Sequence, residues 1–147
     1  THLGHSFPTR RSSDLSSISA QAGFVGQSIY GGTKAALDAM TRTWARELSE
    51  NATVNSINPG PVATSMWFGN SEEFMTGIKP FIQGAPLERV RPGVDDEKLV
   101  EGAEMAGGRP AYTWEIAGVV GMLCGKDAGW VTGQVVSANG GMRFGTG

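Results

Sequence analysis

The chain has 147 residues, a net charge of −2, 39% hydrophobic and 18% charged residues. These are values of one globular domain, not of a disordered or coiled chain. Its 12 basic and 14 acidic residues form no block suited to nucleic acid or an anionic membrane, and no apolar run approaches the roughly 20 residues of a membrane span. Glycine, at 22 residues, is about twice its ordinary share without a collagen-like period, which predicts tight turns and close backbone approaches. The single cysteine, Cys124, cannot close an internal disulfide. Its apolar setting, Val119 to Leu123, predicts a buried, inert thiol. With no apolar signal core at the start, the expectation is a cytoplasmic protein in a reducing setting.

In chain order, residues 1–15 have neither strand alternation nor a helical stripe and read as a disordered or foreign leader. His2 and His5 lie there, but no Cys or carboxylate set accompanies them, so no metal site is expected. From Ser28 a helix is predicted to about Glu50. Leu37, Met40, Trp44 and Leu48 make its apolar stripe, and Ala35, Ala36 and Ala39 a small face open to close packing. Thr53 to Asn58 alternates and reads as a strand, ended by Pro59-Gly60-Pro61. The long connection over about 62–112 holds two further helices. One starts at Ser71, with acidic residues suiting the helix dipole and Pro80 expected to break or kink it; the other starts at Asp95-Asp96-Glu97. Thr113 caps a helix that runs to Cys124, and Gln134 to Ala138 is a last strand. Strand, helix, strand, excursion, helix, strand is the order of a parallel α/β sheet.

Three side chains carry chemistry. Tyr30 and Lys34 stand at i and i+4, on one helix face. A free phenol ionises near pH ~10, and an ammonium beside it stabilises the phenolate. Such a pair can give or take a proton at a carbinol or carbonyl oxygen. Ser17, thirteen positions before Tyr30, supplies a hydroxyl to hold and polarise that oxygen. Hydride must come from a cofactor. A Tyr-x-x-x-Lys pair alone is common, and by itself it reads first as a half-buried Tyr beside a solvated Lys at a helix start. Gly26 to Lys34 resembles a phosphate loop only superficially, because its Lys follows the Thr instead of preceding it.

The joint pattern is more specific. Ser17-x₁₂-Tyr30-x₃-Lys34, then Asn58-Pro59-Gly60-Pro61-Val62-Ala63-Thr64, then Gly133-Gln134 and Asn139-Gly140-Gly141 together resemble the short-chain dehydrogenase/reductase family over about Ser16 to Met142. The resemblance implies a Rossmann-like doubly wound parallel sheet, NAD or NADP as cofactor, and interconversion of a small-molecule alcohol and carbonyl. Tyr30 then matches the acid/base. Lys34 matches the lysine that supports tyrosine ionisation and holds the nicotinamide ribose, and Ser17 the substrate-orienting serine. Ser16 and Ser19 are neighbouring hydroxyls outside the family interval. Pro59 and Gly60 match the turn approaching the nicotinamide. Val62 and Thr64 match the residues binding its carboxamide through backbone N–H and hydroxyl. Asn139 stands where Asp is frequent. The excursion matches the family's variable substrate loop, where Met66, Trp67, Phe68, Phe74, Met75, Ile78 and Phe81 form either a substrate wall or ordinary packing. Dimers or tetramers with the Tyr-bearing helix in an interface are also implied.

The family's Gly-rich pyrophosphate turn, Thr-Gly-x₃-Gly-x-Gly, is not in the sequence. The expectation is a C-terminal half: a leader over 1–15, then a partial Rossmann-like domain over 16–147, with its N-terminal half missing and no catalysis by this chain alone. The alternative is a non-catalytic fragment or interaction module derived from such an enzyme.

Overall fold

The computed structural model describes residues 10–145. Strand β1 (Arg10–Leu15) runs parallel to β2 (Ala52–Pro59), with Arg11 beside Thr53 and Leu15 beside Ile57. The sheet order is β1-β2-β3, where β3 is Val135–Ala138. Every residue from Thr53 to Asn58 is buried, so β2 is covered on both faces, as in parallel sheets. The β2–β3 bonds advance together along both strands: Gly133 N–H donates to the Val54 carbonyl at 2.7 Å, and Ser56 N–H to the Gln134 carbonyl at 2.9 Å. Asn55 latches this edge, donating to the Val131 carbonyl and accepting from Gln134 N–H.

β1 is a strand that the sequence reading does not contain. Arg10 to Leu15 has no alternation and no β-branched residue. Its pairing comes from the open backbone ladder of β2, which outweighs weak local propensity. The leader expectation for residues 1–9, with His2 and His5, lies outside the described residues.

The chain divides into two compact units: the described part of Thr1–Asn58 with Ala117–Val136, and Pro59–Ile116 with the described part of Ser137–Gly147. In the first unit, helix α1 (Ser19–Ala22) leads by a short loop into α2 (Ser28–Glu47). The buried face of α2 is Gly31, Asp38, Thr41 and Ala45, which corrects the expected stripe. Met40 and Leu48 are 42% and 49% exposed, and Ala35, Ala36 and Ala39 are exposed. The physical reason is the polar face opposite: the Ser56 hydroxyl donates to Asp38 Oδ1 at 3.0 Å in a fully buried bond. Small and polar side chains fit there, while large apolar ones would strand that pair unsolvated.

Helix α6 spans Thr113–Cys124, and Leu123 is its buried residue. Cys124 is exposed, so the expected buried thiol is wrong. A helix apolar all round has no face that its sequence marks for burial, and here only Leu123 is turned to the core.

In the second unit, α3 (Ser65–Phe68), α4 (Glu72–Gln83) and α5 (Glu97–Ala106) follow one another. Ser71 and Asp96 cap α4 and α5 by accepting from Phe74 N–H and Lys98 N–H. The core is Trp67, Met75, Ile78, Ile82, Leu99, Ala103 and Ala106. Lys79 crosses from α4 to the Glu104 carbonyl of α5 at 2.7 Å. Pro80 does not end α4, which continues to Gln83. The ring deletes one ladder bond in the last turn. Burial of Ile78 and Ile82 on either side, each on the order of 1.5–3 kcal/mol, outweighs that loss.

Candidate active site

Tyr30 and Lys34 lie in the first two turns of α2, and the Lys34 ammonium stands 5.7 Å from the Tyr30 ring centroid. Tyr30 is 42% exposed, so its phenol is reachable from solvent. Lys34 is held at its ammonium and at its backbone. Its Nζ donates to the Leu15 carbonyl at 2.8 Å, and its backbone carbonyl accepts from the buried Ser16 hydroxyl at 3.2 Å. Leu15 and Ser16 are the last residues before Ser17, so the same two bonds fix the carrier of Ser17 against the Tyr30 helix. Continuation of the ladder, Ser16 N–H to the Ile57 carbonyl at 2.8 Å, fixes it to the sheet as well.

Ser17 accepts from Ser19 N–H at 3.2 Å. That bond uses a lone pair and leaves the hydroxyl proton to donate, which is the polarity needed toward a carbonyl oxygen. Lys34 has three donors, of which the Leu15 carbonyl takes one; among the described residues two remain for hydroxyl acceptors. A vicinal diol, such as that of a nicotinamide ribose, suits two donors on one ammonium. The residues of the first unit therefore fit the cofactor implied by the motif.

The other four candidates belong to the second unit. Pro59 closes β2. At Gly60 a side chain would meet Asn139 at 3.2 Å, so close packing against Asn139 explains this glycine without a ligand. Val62 forms an isolated parallel bridge with Ala111. The flanking bonds, Ala63 N–H to the Ala111 carbonyl and Ala111 N–H to the Pro61 carbonyl, do not use the Val62 N–H. Thr64 caps α3, accepting from Trp67 N–H at 3.5 Å and donating to the Val62 carbonyl at 3.3 Å. Its hydroxyl already has both a donor and an acceptor.

The apolar loop residues divide. Trp67, Met75 and Ile78 are buried packing, whereas Met66 and Phe68 are 75% and 62% exposed. This unit also holds an ionic cluster that no motif in the sequence marks. Arg109 forks onto Glu115 with contacts of 2.9 and 3.0 Å, and reaches Asp95 at 3.5 Å. Arg91 bonds Asp95 at 2.9 Å. The hydrogen bond from Arg91 holds the Asp95 carboxyl below its usual range, and that from Arg109 does the same for Glu115. Glu88 goes the other way: burial raises its carboxyl to about 8, against the pull of Arg109. Arg109, Glu115 and Asp95 are scattered through loop and helix starts, and no spacing rule links them. Among the described residues no group of three or more His, Cys, Asp or Glu could hold a metal ion, and no helix is long and apolar enough to cross a membrane.

The parallel sheet with its helices, carrying Ser17 just past the end of β1 and Tyr30 and Lys34 at the start of α2, is a partial Rossmann-like fold. The family model described as enoyl-(acyl carrier protein) reductase matches residues 13–101, and the chain belongs to the short-chain dehydrogenase/reductase family. It is 52% identical over 139 residues to an L-xylulose reductase of Aspergillus niger, covering 89% of this chain and 47% of that protein. It is 48% identical to an L-xylo-3-hexulose reductase of Hypocrea jecorina, covering 89% of this chain and 46% of that one. A glucose/ribitol dehydrogenase-type short-chain dehydrogenase/reductase of Brucella melitensis has a similar solved structure, with TM-score 0.71 at 28% identity, over 94% of this chain and 47% of that one. The chain thus spans about half the length of the relatives it matches.

Proposed function

We propose that this protein is a reductase that interconverts a ketose and its sugar alcohol with NAD(P) as hydride carrier, using Tyr30, Lys34 and Ser17. One observation carries the reading: the Lys34 ammonium stands beside the Tyr30 phenol while being tied to the residues that deliver Ser17. Two relatives named for reduction of ketoses, at 52% and 48% identity, support the substrate class.

The cofactor, when bound, supplies the hydride that adds to the carbonyl carbon. The Ser17 hydroxyl donates to the carbonyl oxygen and polarises it. As negative charge grows there, the Tyr30 O–H gives its proton to that oxygen, making the alcohol and leaving a phenolate. The Lys34 ammonium offsets the phenolate charge and offers its free donors to ribose hydroxyls. Oxidation runs the same steps backwards. Pro59, Gly60 and the Val62 N–H are proposed on the nicotinamide side. Thr64 takes part there only by exchanging its present bond to the Val62 carbonyl.

The test is Tyr30→Phe in the full-length protein, assayed by L-xylulose reduction with NADPH and, separately, NADH. A fall in kcat of roughly 10²–10⁴-fold is expected; wild-type turnover would remove Tyr30 from the chemistry. For the 147-residue chain by itself we infer no turnover, because its sequence lacks the Gly-rich turn that binds pyrophosphate. Enhancement of NADH fluorescence on titration with the isolated chain would overturn that.

A further inference from the structure

Two hydroxyls flank Ser17: Ser16 bonds the Lys34 carbonyl, and Ser19 bonds a side chain at the start of α2. We propose that Ser19, acting through Gln27, is a positioning residue that fixes the Ser17 turn against the first turn of the Tyr30 helix; this rests on the reductase reading above. The Ser19 hydroxyl donates to Gln27 Oε1 at 2.6 Å, a side-chain bond across the loop that joins α1 to α2. Gln27 is the residue at the N-terminus of α2 and makes no side-chain cap there, so its carboxamide is given over to Ser19. Gln27 also accepts from Gly31 N–H through its own carbonyl at 2.7 Å, beside Tyr30.

Ser19 touches the site with its other groups too. Its N–H donates to Ser17 Oγ at 3.2 Å. Its carbonyl faces Gly31 so closely that a Cβ there would stand 2.7 Å away. One residue therefore contacts Ser17, the residue three before Tyr30, and the residue after it. The loop between is poorly restrained by its own backbone: Gly23 and Gly26 both sit at positive φ, and Val25 is fully exposed. The Lys34 bonds to Leu15 and Ser16 hold the near end of the Ser17 turn, and the Ser19–Gln27 bond holds its far end, across a loop whose two glycines give it little restraint of its own. Misplacement by about 1 Å is enough to cost up to ~100-fold in rate.

The experiment is Ser19→Ala, Gln27→Met, the double variant and Ser19→Thr in the full-length protein, with Tyr30→Phe alongside, in the L-xylulose assay with NADPH and NADH. Ser19→Ala and Gln27→Met should each lower kcat about tenfold. KM for the nicotinamide and the melting temperature should barely change. The double variant should be no worse than either single, since both remove one bond, and Ser19→Thr, which keeps the hydroxyl, should recover most of the rate. If Ser19→Ala fails to fold, Gln27→Met carries the test from the other side of the bond. The proposal is overturned if kcat of the folded single variants stays within about twofold of wild type while Tyr30→Phe is inactive, or if the two losses multiply in the double variant. An active Tyr30→Phe overturns the reductase reading, and this inference with it.

Discussion

At Glu88 burial sets the proton equilibrium. The residue is 4% exposed, Oε2 has no hydrogen-bond partner, and desolvation lifts the carboxyl from 4.5 to about 8. A raised pKa means that the folded chain binds the proton more tightly than the unfolded one. The associated stability is whole below about pH 4.5 and is lost as pH climbs to about 8. Glu88→Gln keeps the shape and deletes the titration. In thermal melts, its Tm relative to wild type should rise between pH 5 and pH 9 by about 3–6 °C; a pH-independent difference would show a solvated carboxyl. Lys34 makes a second prediction at this scale. Its Nζ holds the Leu15 carbonyl at 2.8 Å and is proposed to bind the ribose. Lys34→Ala should weaken NADPH binding to the full-length protein roughly tenfold or more, read by fluorescence titration, and unchanged affinity would free Lys34 of that role.

Among the elements, α2 and the start of α6 are each tested by one substitution. Alanine normally favours a helix over glycine by about 1 kcal/mol. At Gly31 the added Cβ would press on the Ser19 carbonyl at 2.7 Å, so Gly31→Ala should reverse the sign and destabilise by about 1–3 kcal/mol in urea unfolding. Stabilisation would mean that α1 moves aside freely. The start of α6 is held by the Arg109 fork on Glu115 and by Tyr112 N–H on Glu115 Oε2 at 2.7 Å. Arg109→Lys keeps the charge but not the paired geometry. A loss of about 1–3 kcal/mol is expected by the same measurement; a neutral result would show that charge alone suffices.

At the scale of the whole chain, β1 and β3 are the outer strands of the sheet among the described residues. Unpaired strand edges template association, and Val25, Ile29 and Trp130 of the same unit are 84% exposed or more. The isolated 147-residue chain is expected to self-associate over about 1–100 µM in analytical ultracentrifugation, and a monomer throughout would mean that both edges are protected. What could be read from the chain alone was local: the Ser17, Tyr30 and Lys34 interval, the strand Thr53 to Asn58, the helix starts at Ser71 and at Asp95-Asp96-Glu97. Each is set by neighbours a few residues away, through helix period, side-chain alternation or a single capping bond. Other features waited on the fold. Arg10 to Leu15 became a strand because β2 offered it a ladder, and α2 turned Asp38 inward because Ser56 was there to bond it. Cys124 faced outward although its neighbours are apolar, and the Arg109 cluster joined carboxylates that no spacing connects. These choices belong to partners distant in sequence, and a backbone group or buried charge declares its requirement only once the opposite surface is in place.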